Sequence, residues 1–324
     1  MRILVTGGAG FIGSHFVRQA TQGEYPAFAG AEVVVVDKLT YAGRRENLAP
    51  VSGSPALRFV EGDICDGRLM REAMRGVDLV VHFAAESHVD RSISEAGEFV
   101  RTNVLGTQTL LTCALETGVG KFVHVSTDEV YGSLDADGTP WTEEEPLAPN
   151  SPYAASKASA DLMVLAFHHT HGLPVCLTRG SNTYGPYQYP EKIIPLFVSR
   201  LLAGRKVPLY GDGANIREWL HVDDHCRGIA LVAEGGEPGE IYNVGGGTEL
   251  TNRALTERLL ELLGMDHSMV EQVADRKGHD RRYAMDISKI SGALGYKPTV
   301  PFEDGLAATV DWYRGHRGLW GDGA

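Results

Sequence analysis

Cysteine is scarce and scattered in this chain. Cys65, Cys113, Cys176 and Cys226 are far apart and lack metal-ligand spacing, which argues against a disulfide scaffold and against a structural zinc site. No run approaches the ~18 consecutive apolar residues that a membrane-spanning helix needs, so no membrane partner is expected. The N-terminus, MRILVTGGAG, lacks the zones of a secretion signal, and a cytoplasmic protein is expected. Basic residues are outnumbered: 30 Lys and Arg face 42 Asp and Glu, for a formal charge of -12. That balance speaks against a nucleic-acid-binding face. Internal repeats and low-complexity stretches are also missing. What remains, at 324 residues with 43% hydrophobic and 22% charged, is a soluble globular chain of roughly two domains.

Apolar runs alternate with helical patterns through the first half. The runs are Arg2–Thr6, Glu32–Asp37, Leu57–Glu61, Leu79–Phe83, Lys121–Val125 and Leu173–Thr178. Each reads as apolar on both faces, the mark of a parallel sheet covered by helices on both sides. Long helical patterns lie near Glu98–Thr117 and Pro152–His171. The predicted fold is α/β, a Rossmann-like doubly wound parallel sheet with a smaller C-terminal substrate-binding lobe. After about Arg179 prolines and glycines punctuate the chain, and a second lobe starts there. Residues 1–179, with about 218–244 returning, are assigned to the sheet domain, and 180–217 with 245–324 to the smaller lobe. The final GHRGLWGDGA reads as a loose tail.

Gly7, Gly10 and Gly13 follow the first strand and open a helix. Gly7 permits the tight turn, Gly10 lets a pyrophosphate approach, and Gly13 lets helix and sheet pack closely. Phe11 and Ile12 lie within this turn. Asp37 ends the second run, where a carboxylate accepts ribose hydroxyls and repels a 2′-phosphate, favouring NAD over NADP. Lys38 follows it. Asp63 and Ile64 come where an adenine would reach the sheet edge, and Asp66 is a candidate helix N-cap. Ala84, Ala85 and Asn103 complete the expected cofactor contacts.

Tyr153-Ala-Ala-Ser-Lys157 stands about 30 residues after Ser126-Thr127. With the glycine turn, this resembles the extended short-chain dehydrogenase/reductase family. The resemblance makes Tyr153 the proton-transfer residue, has Lys157 hold the nicotinamide ribose, and has Thr127 bind the sugar O4. A phenol is a weak base at neutral pH, and a nearby ammonium favours the phenolate.

Asp128 and Glu129 follow Thr127, two adjacent acids at the C-terminal sheet edge where α/β enzymes bind ligands. The C5 hydrogen of a hexose is not acidic until C4 is a ketone. Elimination of water across C5 and C6 then needs one carboxylate as base and one carboxylic acid to protonate the C6 hydroxyl. Burial and mutual repulsion can split the two. An epimerase needs no such pair.

STDEVYG, FAAESHVDRS, NSPYAASK, SNTYGPYQYPEKIIPLF and DRKGHDRRYAMD together resemble the dTDP-glucose 4,6-dehydratases, from Met1 to about Tyr313. The resemblance implies Asp128 as acid, Glu129 as base, and an NAD that stays bound and is regenerated each turnover. It also implies a homodimer through the two long helices. For the nucleotide sugar it points to Ser87, His88, Arg91, Asn182, Glu191, Lys192, Arg217, Asn252, Arg276, His279 and Tyr283. Thr183 departs from the family pattern, which often has Asn there. Thymine is chosen by the resemblance alone. A nucleotide-sugar 4-epimerase, a UDP-glucuronate decarboxylase, a GDP-mannose dehydratase and a non-catalytic NAD-binding regulator remain the alternatives. No metal is expected, since His88 has no partner at ligand spacing.

Overall fold

The computed structural model describes residues 1–319. The first strand, β1 (Arg2–Thr6), runs through the glycine turn into α1 (Phe11–Gln22). Next come β2 (Glu32–Asp37), β3 (Leu57–Glu61), α2 (Gly67–Ala73), β4 (Leu79–His82), α3 (Val89–Ser94) and α4 (Ala96–Phe99). A π-helical stretch, Val100–Gly106, leads into α5 (Thr107–Thr117), then β5 (Lys121–Thr127), α6 (Pro152–His171) and β6 (Val175–Gly180). The smaller lobe begins with β7 (Asn182–Tyr184), α7 (Ile193–Leu202), β8 (Val207–Tyr210) and β9 (Ile216–His221). After α8 (Val222–Gly235) and β10 (Ile241–Val244) the chain continues into β11 (Thr248–Thr251), α9 (Asn252–Leu263), β12 (Val270–Val273), α10 (Ser288–Leu294) and α11 (Phe302–Gly315).

Seven parallel strands form the large sheet in the order β10-β6-β5-β4-β1-β2-β3. The order reverses beside β1, which opens a crevice at the strands' C-terminal ends. One face packs on α1 and α8 through Phe16, Val17, Val35, Cys226 and Ile229. The other packs on α5 and α6 through Leu110, Leu111, Phe122 and Val164. The smaller lobe carries a three-stranded sheet, β11-β9-β7, and the pair β12-β8. Its core joins α7, α9 and α11 through Phe197, Leu201, Leu255, Leu259 and Leu306.

Several boundaries differ from the sequence reading. The Leu57–Glu61 run is not buried on both faces, because β3 is an edge strand with Arg58 and Glu61 exposed. The fifth run extends to Thr127 and the sixth shifts to Val175–Gly180, since neighbour pairing carries both strands to the sheet edge. The Glu98–Thr117 pattern is interrupted by the π-helical stretch. Ile241–Val244 pairs with β6, so the chain does return to the large sheet. Of the C-terminal GHRGLWGDGA, the part from residue 320 onward lies outside the described residues.

Local chemistry sets the helix ends that matter. Ser151 caps α6 by accepting the Ala154 N–H, Pro152 occupies the first turn, and Gly172 closes it in the left-handed conformation. Asp66 caps α2 in the same way, accepting from Arg68 and Leu69. Helix α1 has no side-chain cap, and Gly10 leaves its first N–H groups facing the crevice. A Cβ on Gly13 would lie 2.3 Å from the Gly7 carbonyl oxygen, whereas one on Gly10 would lie 3.3 Å from it. Gly13→Ala is therefore expected to cost about 1–3 kcal/mol by overpacking, and Gly10→Ala about 1 kcal/mol or less. Chemical denaturation of the two variants checks this. Equal stabilities would remove the packing reason for Gly13.

Candidate active site

A cavity of about 830 Å³ runs along the C-terminal ends of the large sheet and under the smaller lobe. At one end lie Gly7, Gly10, Phe11, Ile12 and Gly13, with Asp37, Lys38, Asp63, Ile64, Ala84 and Ala85 beside them. The middle holds Thr127, Asp128, Glu129, Tyr153 and Lys157. Ser87, His88, Arg91, Asn182, Glu191, Lys192, Arg217, Asn252, Arg276, His279 and Tyr283 line the remainder. Asn103 does not line it. Its amide donates to the Glu86 carbonyl and Ser156 Oγ and accepts from the Glu86 N–H, so it ties the loop after β4 to α6.

Asp37 is buried, and its carboxylate already accepts the Ala9 N–H at 2.9 Å and the Leu39 N–H at 2.8 Å. It fastens the glycine turn as well as facing the cavity. Burial raises its pKa, and the two N–H donors partly offset this. Lys38 pairs with Asp63 at 2.8 Å.

Asp128 and Glu129 begin a short 3-10 turn capped by Thr127, whose Oγ1 accepts the Glu129 N–H at 3.3 Å. Thr127 Oγ1 also lies 3.2 Å from Asp128 Oδ1. Burial pushes the Asp128 carboxyl well above the usual range, and the charges of Glu129 and Glu218 push it further. Burial raises Glu129 too, but Lys192, Arg276 and Arg217 pull it back. Both carboxyls are thus raised, but cations oppose the rise of Glu129 whereas neighbouring acids add to that of Asp128, so Asp128 is the more strongly held as the acid.

Tyr153 and Lys157 share one face of α6. Lys157 Nζ donates to the Val125 carbonyl at 2.8 Å and lies 3.4 Å from His124 Nε2. Burial lowers its pKa to about 8, against the pull of Asp161. Tyr153 is driven well above its ordinary value by burial, then by Glu129 and Asp128. The lowering expected from the Lys157 ammonium is therefore not seen in the protein alone, because that ammonium is turned to the strand carbonyl. A positive charge brought beside the phenol would act in the lowering direction.

Basic groups gather at the far end. Arg217 stacks on the Tyr283 ring at 4.3 Å and donates to the Ile216 and Asp280 carbonyls. Arg276 lies 3.8 Å from Asp90, and His279 is 2.6 Å from Asp275. Asn252 opens α9. Lys192 donates to the Ser87 carbonyl at 2.7 Å, and His88 caps α3 by accepting the Arg91 N–H. Arg91 stacks on Tyr41, whose hydroxyl donates to Glu191 at 3.3 Å. Glu191 therefore joins the two sides of the cavity as well as lining it.

Sequence reasoning missed Glu86, Ser181, Gln188, Tyr210, Trp219 and His225, which also line the cavity. These loop, strand and helix-start residues follow no spacing pattern and gave no signal. Among the described residues, Ser126 Oγ, Asp128 Oδ2, Ser181 Oγ, Asn182 Oδ1 and His225 Nε2 are buried with no partner in the protein. All five residues line this cavity. Such a cluster of unmet polar atoms, with bare N–H groups at the α1 start, fits a polar dinucleotide and a sugar.

Comparison with known proteins agrees with this geometry. The family model for GDP-mannose 4,6 dehydratase matches residues 4–309. A dTDP-glucose 4,6-dehydratase of Actinoplanes sp. is 59% identical over 99% of this chain and 100% of its own length. The crystal structure of a dTDP-glucose 4,6-dehydratase from Streptomyces venezuelae, with NAD and TYD bound, matches at 65% identity and a TM-score of 0.98, covering 99% of both chains. UDP-glucose 4-epimerase from Thermotoga maritima matches at 35% identity and a TM-score of 0.89, covering 97% of this chain and 99% of its own.

The Asp128 burial has a measurable consequence. An acid with a raised folded pKa keeps a proton that the unfolded chain releases. Its contribution to stability is complete below the ordinary value of 3.8 and is lost as pH rises through the folded value. Asp128→Asn, which cannot ionise, is expected to gain stability relative to the parent as pH climbs from about 4 to about 8. Unfolding midpoints across that range test this, and a constant gap would dismiss burial as the cause.

Proposed function

The chain belongs to the GDP-mannose 4,6-dehydratase family of nucleotide-sugar enzymes, and within it we propose that it converts dTDP-glucose to dTDP-4-keto-6-deoxyglucose. It is an NAD-dependent hydro-lyase. The observation that carries the reading is the Asp128–Glu129 pair beside Tyr153: buried Asp128 is pushed well above the usual carboxyl range, while the rise of Glu129 is opposed by Lys192, Arg276 and Arg217. The protein resembles epimerases in fold, but hydride transfer at C4 alone gives that pair no work.

Bound NAD would supply a hydride acceptor for C4 and a hydride donor for C6, with no net consumption in a turnover. Gly7, Gly10 and Gly13 with the α1 N-terminus hold its pyrophosphate, and Asp37 its ribose. Tyr153 takes the proton of the O4 hydroxyl while Thr127 orients that oxygen. Oxidation at C4 makes the C5 hydrogen acidic. Glu129 then removes it, and Asp128 gives its proton to the C6 hydroxyl, which departs as water. As hydride arrives at C6, Glu129 returns the proton to C5. Arg217, Arg276, His279, Lys192 and Asn252 supply the donors that a diphosphate needs. Residues 1–179 with about 218–244 form the cofactor half in this reading, and 180–217 with 245–324 the nucleotide half.

The same reading makes the protein a homodimer. Leu110 and Leu111 are core, whereas Val100, Leu105, Leu115 and Leu162 lie 39–59% exposed on the outer face of the α5–α6 layer. Ala155, Ser159, Leu162 and Ala166 form an exposed stripe along α6. Pairing with a second copy would cover both. A cytoplasmic site of action goes with a reading that draws on NAD and a nucleotide-activated sugar. In sedimentation at micromolar concentration the parent is expected to have twice the mass of one chain and Leu162→Arg that of a monomer. A monomeric parent would overturn the assignment of these helices.

Purified protein incubated with dTDP-glucose and no added NAD is expected to form the 4-keto-6-deoxy product. Glu129→Gln should still reduce bound NAD but lose C5 exchange with solvent deuterium. Asp128→Asn should form the 4-keto sugar and keep some C5 exchange. Each should lose about 10²- to 10⁴-fold in product formation, while Tyr153→Phe slows the first hydride transfer. Single-turnover NADH absorbance and mass spectrometry of the quenched sugar separate these steps. Parental rates in both acid variants would return the assignment to an epimerase.

A further inference from the structure

His225 lies near the start of α8, 2% exposed, and lines the cavity. Its ring rests against the end of β6: a Cβ on Gly180 would lie 2.5 Å from His225 Nε2. Gly180 is the register partner of Thr127, so this imidazole edge borders the reacting end of the site. Nε2 is among the buried atoms with no partner in the protein.

The tautomer follows from Thr183. Its hydroxyl lies 2.7 Å from His225 Nδ1 and 3.1 Å from the Ser181 carbonyl oxygen. A hydroxyl has one proton to donate. If Nδ1 carries a proton, it donates to Thr183 and the hydroxyl donates to Ser181, and both contacts are hydrogen bonds. If Nδ1 is bare, the hydroxyl turns to it and the Ser181 contact becomes lone pair against lone pair. The first arrangement satisfies both, and it leaves Nε2, on a residue that lines the cavity, as an unprotonated acceptor. Gln188 fixes the loop by donating to the Thr183 carbonyl at 2.9 Å.

Among the described residues no carboxylate pairs with the ring. Asp223 is taken by His15 and His221, and Asp224 by Arg227 and Thr299. Burial pushes the imidazolium down to about 4, so the ring is neutral at physiological pH and suits a cationic pyridinium as its neighbour.

We infer that His225 is a positioning residue for the cofactor: its Nε2 lone pair accepts a hydrogen bond from the carboxamide N–H of the nicotinamide, and the Thr183 hydroxyl sets the tautomer that makes this possible. The inference rests on the NAD reading above. It gives Thr183, the departure from the family pattern, a stated task. Fixing the carboxamide fixes which face of the nicotinamide meets C4.

ADP-ribose shares every cofactor group except the nicotinamide, which makes it the discriminating probe. Holoenzyme is equilibrated with excess ADP-ribose, and the NAD and ADP-ribose retained are quantified by chromatography. The parent should favour NAD, and His225→Phe should lose about tenfold of that preference, the order expected for one unmet amide donor. Thr183→Val should lose several-fold, and Thr183→Ser should restore it. In parallel, ¹⁵N-histidine spectra should show an unprotonated Nε2 in the parent that shifts upfield when NAD binds. An unchanged NAD to ADP-ribose ratio in His225→Phe and Thr183→Val, or a protonated Nε2, overturns the assignment. If His225→Phe does not fold, the Thr183 pair and the spectra decide. A parent that retains neither ligand would overturn the cofactor reading itself.

Discussion

Burying two like charges side by side is costly, and a protein that does so must either neutralise one or surround them with cations. Asp128 and Glu129 are treated in both ways at once. Asp128 is sealed at the end of β5 with Glu218 nearby, and it answers by keeping its proton. Glu129 is turned toward the smaller lobe, where Lys192, Arg276 and Arg217 lower its cost as an anion. Those cations stand on elements that leave the large sheet after β6. The second lobe is therefore part of the acid–base machinery as well as the nucleotide site.

Glu218 shows how closely the halves are joined. It lies on β9, accepts N–H groups from Gly247 and Met285, and adds to the field that keeps Asp128 protonated. Trp141 pairs with Met285, and Tyr131 stacks on Trp141, so the turn after Asp128 is braced by the other lobe. Sliding one lobe on the other would change the field at the acid pair along with the width of the cleft.

Much of this was legible in the sequence because each feature has a short-range cause. Glycine spacing after a strand, Tyr and Lys one helical turn apart, and two acids beyond a strand end are local patterns. The cavity then gathers them because strand ends converge. What was not legible depends on three-dimensional surroundings. Asn103 sits in the expected region, yet its amide is consumed by Glu86 and Ser156. The leucines of α5 look alike in sequence, and which of them reach the core depends on helix phase after the π-helical stretch. The direction of the Lys157 ammonium turned on a strand carbonyl that no spacing reveals. His225 lay inside an ordinary helical pattern, and its free nitrogen appears only once Gly180 is placed against it.

The position of β10 also bears on how the chain folds as it is made. β10 is the outermost strand beside β6, but it is synthesised after β7, β8 and β9. While the ribosome extends the chain, β6 keeps an unpaired edge of Leu177, Thr178, Arg179 and Gly180 until Ile241–Val244 emerges. Open parallel edges are sticky, and domains fold as units during synthesis. The nascent protein thus passes through a window in which its sheet is complete on every side but one, and the strand that ends the exposure must arrive by way of the other lobe.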